Sequence, residues 1–209
     1  MTFEKEFKTA LQNLPSAEKD KLILRLLKRD LDLANRLLFE LVSTQSIEDR
    51  RELIQNEVTI AIKRASNRFY SLGYLLMDMR ELSGRITEHV KITKDKFGEI
   101  SLNLQMLNEI LTINKLYIVN SKPKDAHTFC VYVIARAFKI LMLINVLHED
   151  YRIEFKNDLE KLGLLISENR LLIKTAIYNG LDVKWLLESE IPTNIVAIHK
   201  DIRSNGFLK

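Results

Sequence analysis

Cysteine occurs once in this 209-residue chain, proline three times, histidine four times and glycine six times. One cysteine rules out an internal disulfide framework and fits a reducing compartment. So few prolines and glycines leave too little turn chemistry for an all-β protein. The histidines lack the spacing of common metal sites. None of His89, His127, His148 and His199 follows a Glu by three residues, as di-iron bundles require. His148-Glu149 has no second His in the place a zincin helix needs. There is no glycine-rich phosphate loop, and no Glu-x-x-Glu followed by Glu-x-x-Asp to gather carboxylates round magnesium. No cofactor and no metal are expected.

No long apolar run is free of charge. Phe129 to Leu147 is the most apolar stretch, yet Arg136 and Lys139 sit at its middle. Each would cost several kcal/mol in a bilayer, so the run reads as a helix buried in a soluble protein and no membrane partner is expected. The start, Met1-Thr2-Phe3-Glu4-Lys5-Glu6, has no apolar signal core. A cytoplasmic location is the expectation.

What the chain does have is apolar and helix-forming: 46% of it is hydrophobic, with Leu, Ile, Lys and Glu abundant. The net charge of +4 is unevenly placed. Residues 1–60 carry ten basic and eleven acidic side chains, residues 61–96 eight and four, and residues 97–209 fourteen and thirteen. The excess lies on one segment.

That segment also keeps a seven-residue period. Val58, Ile62, Ala65, Phe69, Leu72, Leu76, Met79, Ser83, Ile86, Val90, Thr93 and Phe97 are spaced alternately by four and three, which places them on one helical stripe. Ser46 with Asp49 resembles a capping box at its start, and Gly98 is a candidate C-terminal cap. Leu75 and Leu82 widen the stripe beyond a coiled-coil seam, and Ala65, Ser83 and Thr93 are small for seam positions. A core helix of a bundle is the better reading, bent or broken near Gly73 or Gly84.

Around this segment the pattern gives nine or ten helices. A short-helix unit over residues 1–45 is expected to pack on 46–209. Pro15 ends its first helix, Ser16 is a candidate cap for the second and Asp30 for the third. On the third, Ala34, Leu37, Leu38, Leu41 and Val42 follow the amphipathic spacing. Residues 99–119 read as one helix apolar on two faces, and 120–124 as a loop. A helix over 125–149 and a charged one near 152–167 follow, then shorter helices near 170–179, 183–189 and 194–204. The expected fold is a single all-α domain with long central antiparallel helices, bundle-like, with an irregular α-solenoid as the alternative.

For a site, the best sequence signal is a basic patch of Lys63, Arg64, Arg68, Arg85, His89 and Lys91 interleaved with Phe69, Tyr70 and Tyr74. Such a strip holds phosphates and stacks bases. Its competing reading is a solvated helix face, since Glu81 and Arg85 stand in favourable i,i+4 order. His127 and Cys130 share a helix face, but Cys130 continues the apolar set of Val133, Ile134 and Ala137 and reads as a small hydrophobe. Arg85, Glu88, His89 and Asp95 gather acid and base chemistry. Only three residues separate Arg85 from His89, too few for the Arg–His motif of RNA-cleaving helical domains, and charge pairing accounts for the group. His199 and Trp185 read as packing residues.

Strong packing patterns without a catalytic signature favour a non-enzymatic helical interaction or scaffold protein that binds a protein partner or itself. A basic module for nucleic acid or a phosphorylated ligand is the first alternative. An all-α nucleotide or RNA hydrolase is the second.

Overall fold

The computed structural model describes residues 2–209, and every regular element among them is helical. The fold is all-α. By contacts the chain forms two compact units, one running to Ser46 together with Lys91–Thr93, the other Ile47–Val90 with Lys94–Lys209.

The first unit contains α1 (Lys5–Asn13), α2 (Ser16–Leu27) and α3 (Leu31–Val42). Pro15 takes the N-cap position of α2, so Ser16 is its first helical residue and makes no side-chain cap bond. Asp30 does cap α3, its Oδ1 accepting the Leu33 N–H at 3.0 Å. None of these three helices fully buries a residue. Ala34 and Leu37 are half-buried, whereas Leu38, Leu41 and Val42 are 60%, 80% and 68% exposed.

The second unit begins with α4 (Ile47–Asn67), α5 (Leu72–Thr93, whose last three residues count with the first unit), α6 (Lys96–Ile113), α7 (Lys115–Asn120) and α8 (Pro123–Asn145). After these come α9 (Glu149–Arg152), a 3-10 turn at Ile153–Phe155, α10 (Lys156–Ser167), α11 (Arg170–Tyr178), α12 (Lys184–Leu187) and α13 (Ile195–Ser204). Among the described residues the thirteen α-helices exceed the nine or ten expected because several expected helices divide. Asn114 divides 99–119. It is fully buried, and its Nδ2 donates to Ser66 Oγ at 2.8 Å and to the Ile110 carbonyl at 3.0 Å, a local bond that competes with helix continuation.

The heptad segment is not one helix. It breaks at Arg68–Ser71, just ahead of Gly73, while Gly84 lies inside an unbroken α5. Ser71 has extended backbone and accepts the Tyr74 N–H, which starts α5. Phe69, inside the break, stacks on Tyr117 of α7 with ring centroids 4.1 Å apart. The second break falls at Lys94, left-handed at φ 59°, and Gly98 is therefore not a helix C-cap. It lies in the first turn of α6, where its N–H donates to Asp95 Oδ1 at 2.8 Å.

Helix α6 is buried on most sides and packs against α4, α8 and α10. Cross-helix bonds set its register with α4: Gln105 reaches the Gln55 carbonyl at 3.0 Å, Thr59 reaches Glu109 at 2.7 Å, and Asn114 reaches Ser66 at 2.8 Å. Residue numbers rise together along the two helices, so α4 and α6 run parallel, with α5 returning the chain.

Helix α8 is long and apolar enough, by length and composition, to cross a membrane, and over half of its most apolar stretch is packed inside the protein. Its mid-helix cations are answered internally. Lys139 pairs with Glu99 at 2.6 Å, and Arg136 lies over the Tyr132 ring, 5.2 Å from its centroid.

Candidate functional site

A groove opens between α4 and α5, with a volume of about 310 Å³. Ala61, Arg64, Ala65 and Arg68 stand three, four and seven residues along one face of α4 and its end. Tyr74, Asp78, Glu81 and Arg85 stand four, seven and eleven residues along a face of α5, and Tyr70 comes from the break between the helices. Ala61 and Ala65 are small, so the two helices leave space where larger seam residues would fill it. The size falls at the lower end of small-ligand clefts.

The groove is polarised. Arg85 is held by Glu81 at 2.8 Å and approached by Glu57 at 3.7 Å. Arg64 and Arg68 are exposed and have no ion-pair partner among the described residues. Asp78 lines the same groove from α5. Burial pushes its carboxyl up from the ordinary value, and the nearby Glu81 charge adds to that shift. Tyr70 and Tyr74 meet edge to face, 5.2 Å apart at 84°, yet are 80% and 59% exposed.

Of the basic patch, Arg64, Arg68 and Arg85 come together in this groove, and the other three members do not. Lys63 is exposed but does not line it. Lys91 belongs to the first unit and pairs there with Asp32 at 2.7 Å. His89 is 1% exposed, so it cannot be part of a surface patch. Helical phase explains the loss: His89 falls three residues after Ile86, on the buried side of α5. Asp78 was missed, although its spacing from Tyr74 and Arg85 carried the signal.

His89 belongs to a different cluster, centred on Asp95. The Asp95 carboxylate accepts Arg51 Nε at 2.6 Å, Arg51 Nη2 at 2.9 Å and the Gly98 N–H at 2.8 Å. His89 Nε2 donates to it at 3.3 Å, since a carboxylate only accepts. Burial alone would raise the Asp95 pKa, but the bonds from His89, Arg51 and Gly98 outweigh it and hold the carboxyl well below its ordinary range. The Arg51 guanidinium also lies 5.0 Å from the Phe97 ring centroid. This cluster joins the starts of α4 and α6.

Between α4, α6 and α10 lies a polar cavity of about 330 Å³, lined by Thr59, Gln105, Asn108, Glu109, Asp158 and Lys161 among others. Gln105 Nε2 lies within hydrogen-bond distance of three acceptors there, the Gln55 carbonyl, Thr59 Oγ1 and Glu109 Oε1, which share its two N–H groups. That network fixes the amide orientation.

Cys130 is 1% exposed, and burial pushes its thiol up to about 11, with a bond from Thr175 pulling the other way. It is a packed hydrophobe rather than a nucleophile. His199 is half-buried 5.5 Å from the Phe138 ring, and Trp185 meets Phe138 edge-on at 6.3 Å. Among the described residues, no three His, Cys, Asp or Glu side chains gather to hold a metal ion. The fold and this groove define an all-α helical protein with a cationic, aromatic cleft. No family model, no curated protein and no solved structure matches the chain.

Proposed function

We propose that the protein is a non-enzymatic helical interaction protein that docks a protein partner, or a second copy of itself, on its N-terminal unit. The observation that carries this reading is the exposed stripe of α3. Leu31, Leu38, Leu41 and Val42 are all at least 60% exposed, and no residue of α1–α3 is fully buried. Apolar side chains clustered on one helix face in water mark an interaction surface. Charge does not oppose self-contact there, because residues 1–46 carry eight basic and seven acidic side chains.

A cytoplasmic location goes with this reading, supported by the lone buried cysteine and by the internal packing of α8. The test is a photo-crosslinking residue at position 41, with a control at the exposed Lys122, in cells making the full chain. Light-induced adducts at 41 and not at 122 are expected, and Leu38→Glu should abolish them while leaving helicity unchanged. Equal adduct yields at both positions would sink the proposal. The adduct mass separates a second copy from another protein.

A further inference from the structure

We infer that the groove between α4 and α5 binds a nucleoside phosphate, either free or as a unit of single-stranded nucleic acid. The inference is independent of the docking surface on α3 and draws on different residues. Its cationic end is Arg64 and Arg68, one helical turn apart and without an ion-pair partner among the described residues. Two guanidiniums so placed match a phosphate through paired N–H donors. Arg85, in the same groove, is already engaged by Glu81 and Glu57, so the anion-binding capacity is concentrated at the other end.

Tyr70 and Tyr74 supply the second half of the recognition. Exposed aromatic faces are costly in water and find a use where a planar base stacks on them. Their edge-to-face contact at 5.2 Å sets the two rings at 84°, so one ring can lie under a base while the other walls its edge. Asp78 and Glu81 form the acidic end, and a carboxylate there accepts from the hydroxyls of a ribose or the amino group of a base. An anion at one end, a flat ring beside tyrosine and hydrogen-bond donors at the other end describe a nucleotide. Inorganic phosphate satisfies only the first of these, and an aliphatic carboxylate lacks the second.

The test is calorimetric titration of the full chain at about 50 mM salt. The ligands are AMP, UMP, adenosine, inorganic phosphate and a single-stranded oligouridylate about twelve nucleotides long. AMP or UMP should bind more tightly than adenosine or phosphate alone. The Arg64→Glu/Arg68→Glu variant should abolish binding, Tyr74→Ala should weaken it roughly tenfold, and Lys122→Glu, outside the groove and the basic patch, should leave it unchanged. All four positions are solvent-exposed, and unchanged circular dichroism verifies folding. Tighter, strongly salt-dependent binding of the oligouridylate identifies a polynucleotide, whereas equal affinity for AMP and the oligomer identifies a free nucleotide. The inference is overturned by an absence of binding to AMP, UMP and the oligomer, by undiminished binding in the double arginine variant, or by phosphate binding as tightly as AMP.

Discussion

Asp95 grips Arg51 across 44 positions of sequence in a two-point bridge, Nε to Oδ2 at 2.6 Å and Nη2 to Oδ1 at 2.9 Å. One carboxylate thereby caps α6 through Gly98 and fastens it to the N-terminal part of α4. The Asp95 side chain is 4% exposed and that of Arg51 18%, so breaking the pair leaves a largely buried guanidinium with only the longer 3.9 Å contact to Glu48 as its counter-charge.

Asp95→Ala should therefore lose about 2–4 kcal/mol of stability, measured by urea denaturation at neutral pH. Asp95→Asn keeps a capping oxygen but not the charge, and its loss should be smaller. Equal stability of wild type and Asp95→Ala would show that the cluster contributes nothing.

The same carboxylate sets an acid limb in the stability curve. Its folded pKa is lowered, because the bonds from His89, Arg51 and Gly98 outweigh burial, while an unfolded Asp titrates near ~4. The unfolded state then binds the proton first, so the contribution is fully present above about pH 4 and is lost as pH falls through the folded value. The stability gap between wild type and Asp95→Asn should shrink progressively on acidification. A gap independent of pH from about 5 to 2 would contradict this assignment.

Two glycines of the heptad region should respond in opposite ways to alanine. At Gly98 an added Cβ would run into the Asp95 carboxylate, 2.6 Å from its Cγ, and come within 3.0 Å of Arg51 Nε. Gly98→Ala should cost about 1–3 kcal/mol. At Gly84 nothing lies within 4 Å of the same atom, and the residue is exposed in mid-helix. Gly84→Ala should stabilise by roughly 0.5–1 kcal/mol, read as a higher midpoint in the same denaturation experiment.

Cys130 should resist a thiol reagent while the protein is folded. With the thiol pushed up to about 11 and 1% exposed, little thiolate exists at neutral pH and none is accessible. Modification followed in native buffer should be slow and should become fast in denaturing urea. Rapid labelling of the native protein would mean that α8 opens readily.

The periodicity carried a great deal. All twelve stripe residues from Val58 to Phe97 are at least half-buried, because a side chain's phase on a helix is local geometry. Asp30 capping α3 was legible for the same reason. Of the patch, Arg64, Arg68 and Arg85 share one groove, while His89 was misplaced by counting its charge before its helical phase.

Composition, absence of turn formers and apolar spacing determined by themselves that this chain is all-α, because those are properties of consecutive residues. Only the tertiary structure decided where the long segment breaks. Glycine lowers helix propensity at Gly73 and Gly84 alike, but the break falls at Arg68–Ser71, where Phe69 stacks on Tyr117 and Ser71 caps the next helix. It also decided that Gly98 starts α6, since that role depends on Arg51, 47 residues earlier. Contacts between distant residues outweigh a local preference of about 1 kcal/mol, and no local pattern records them.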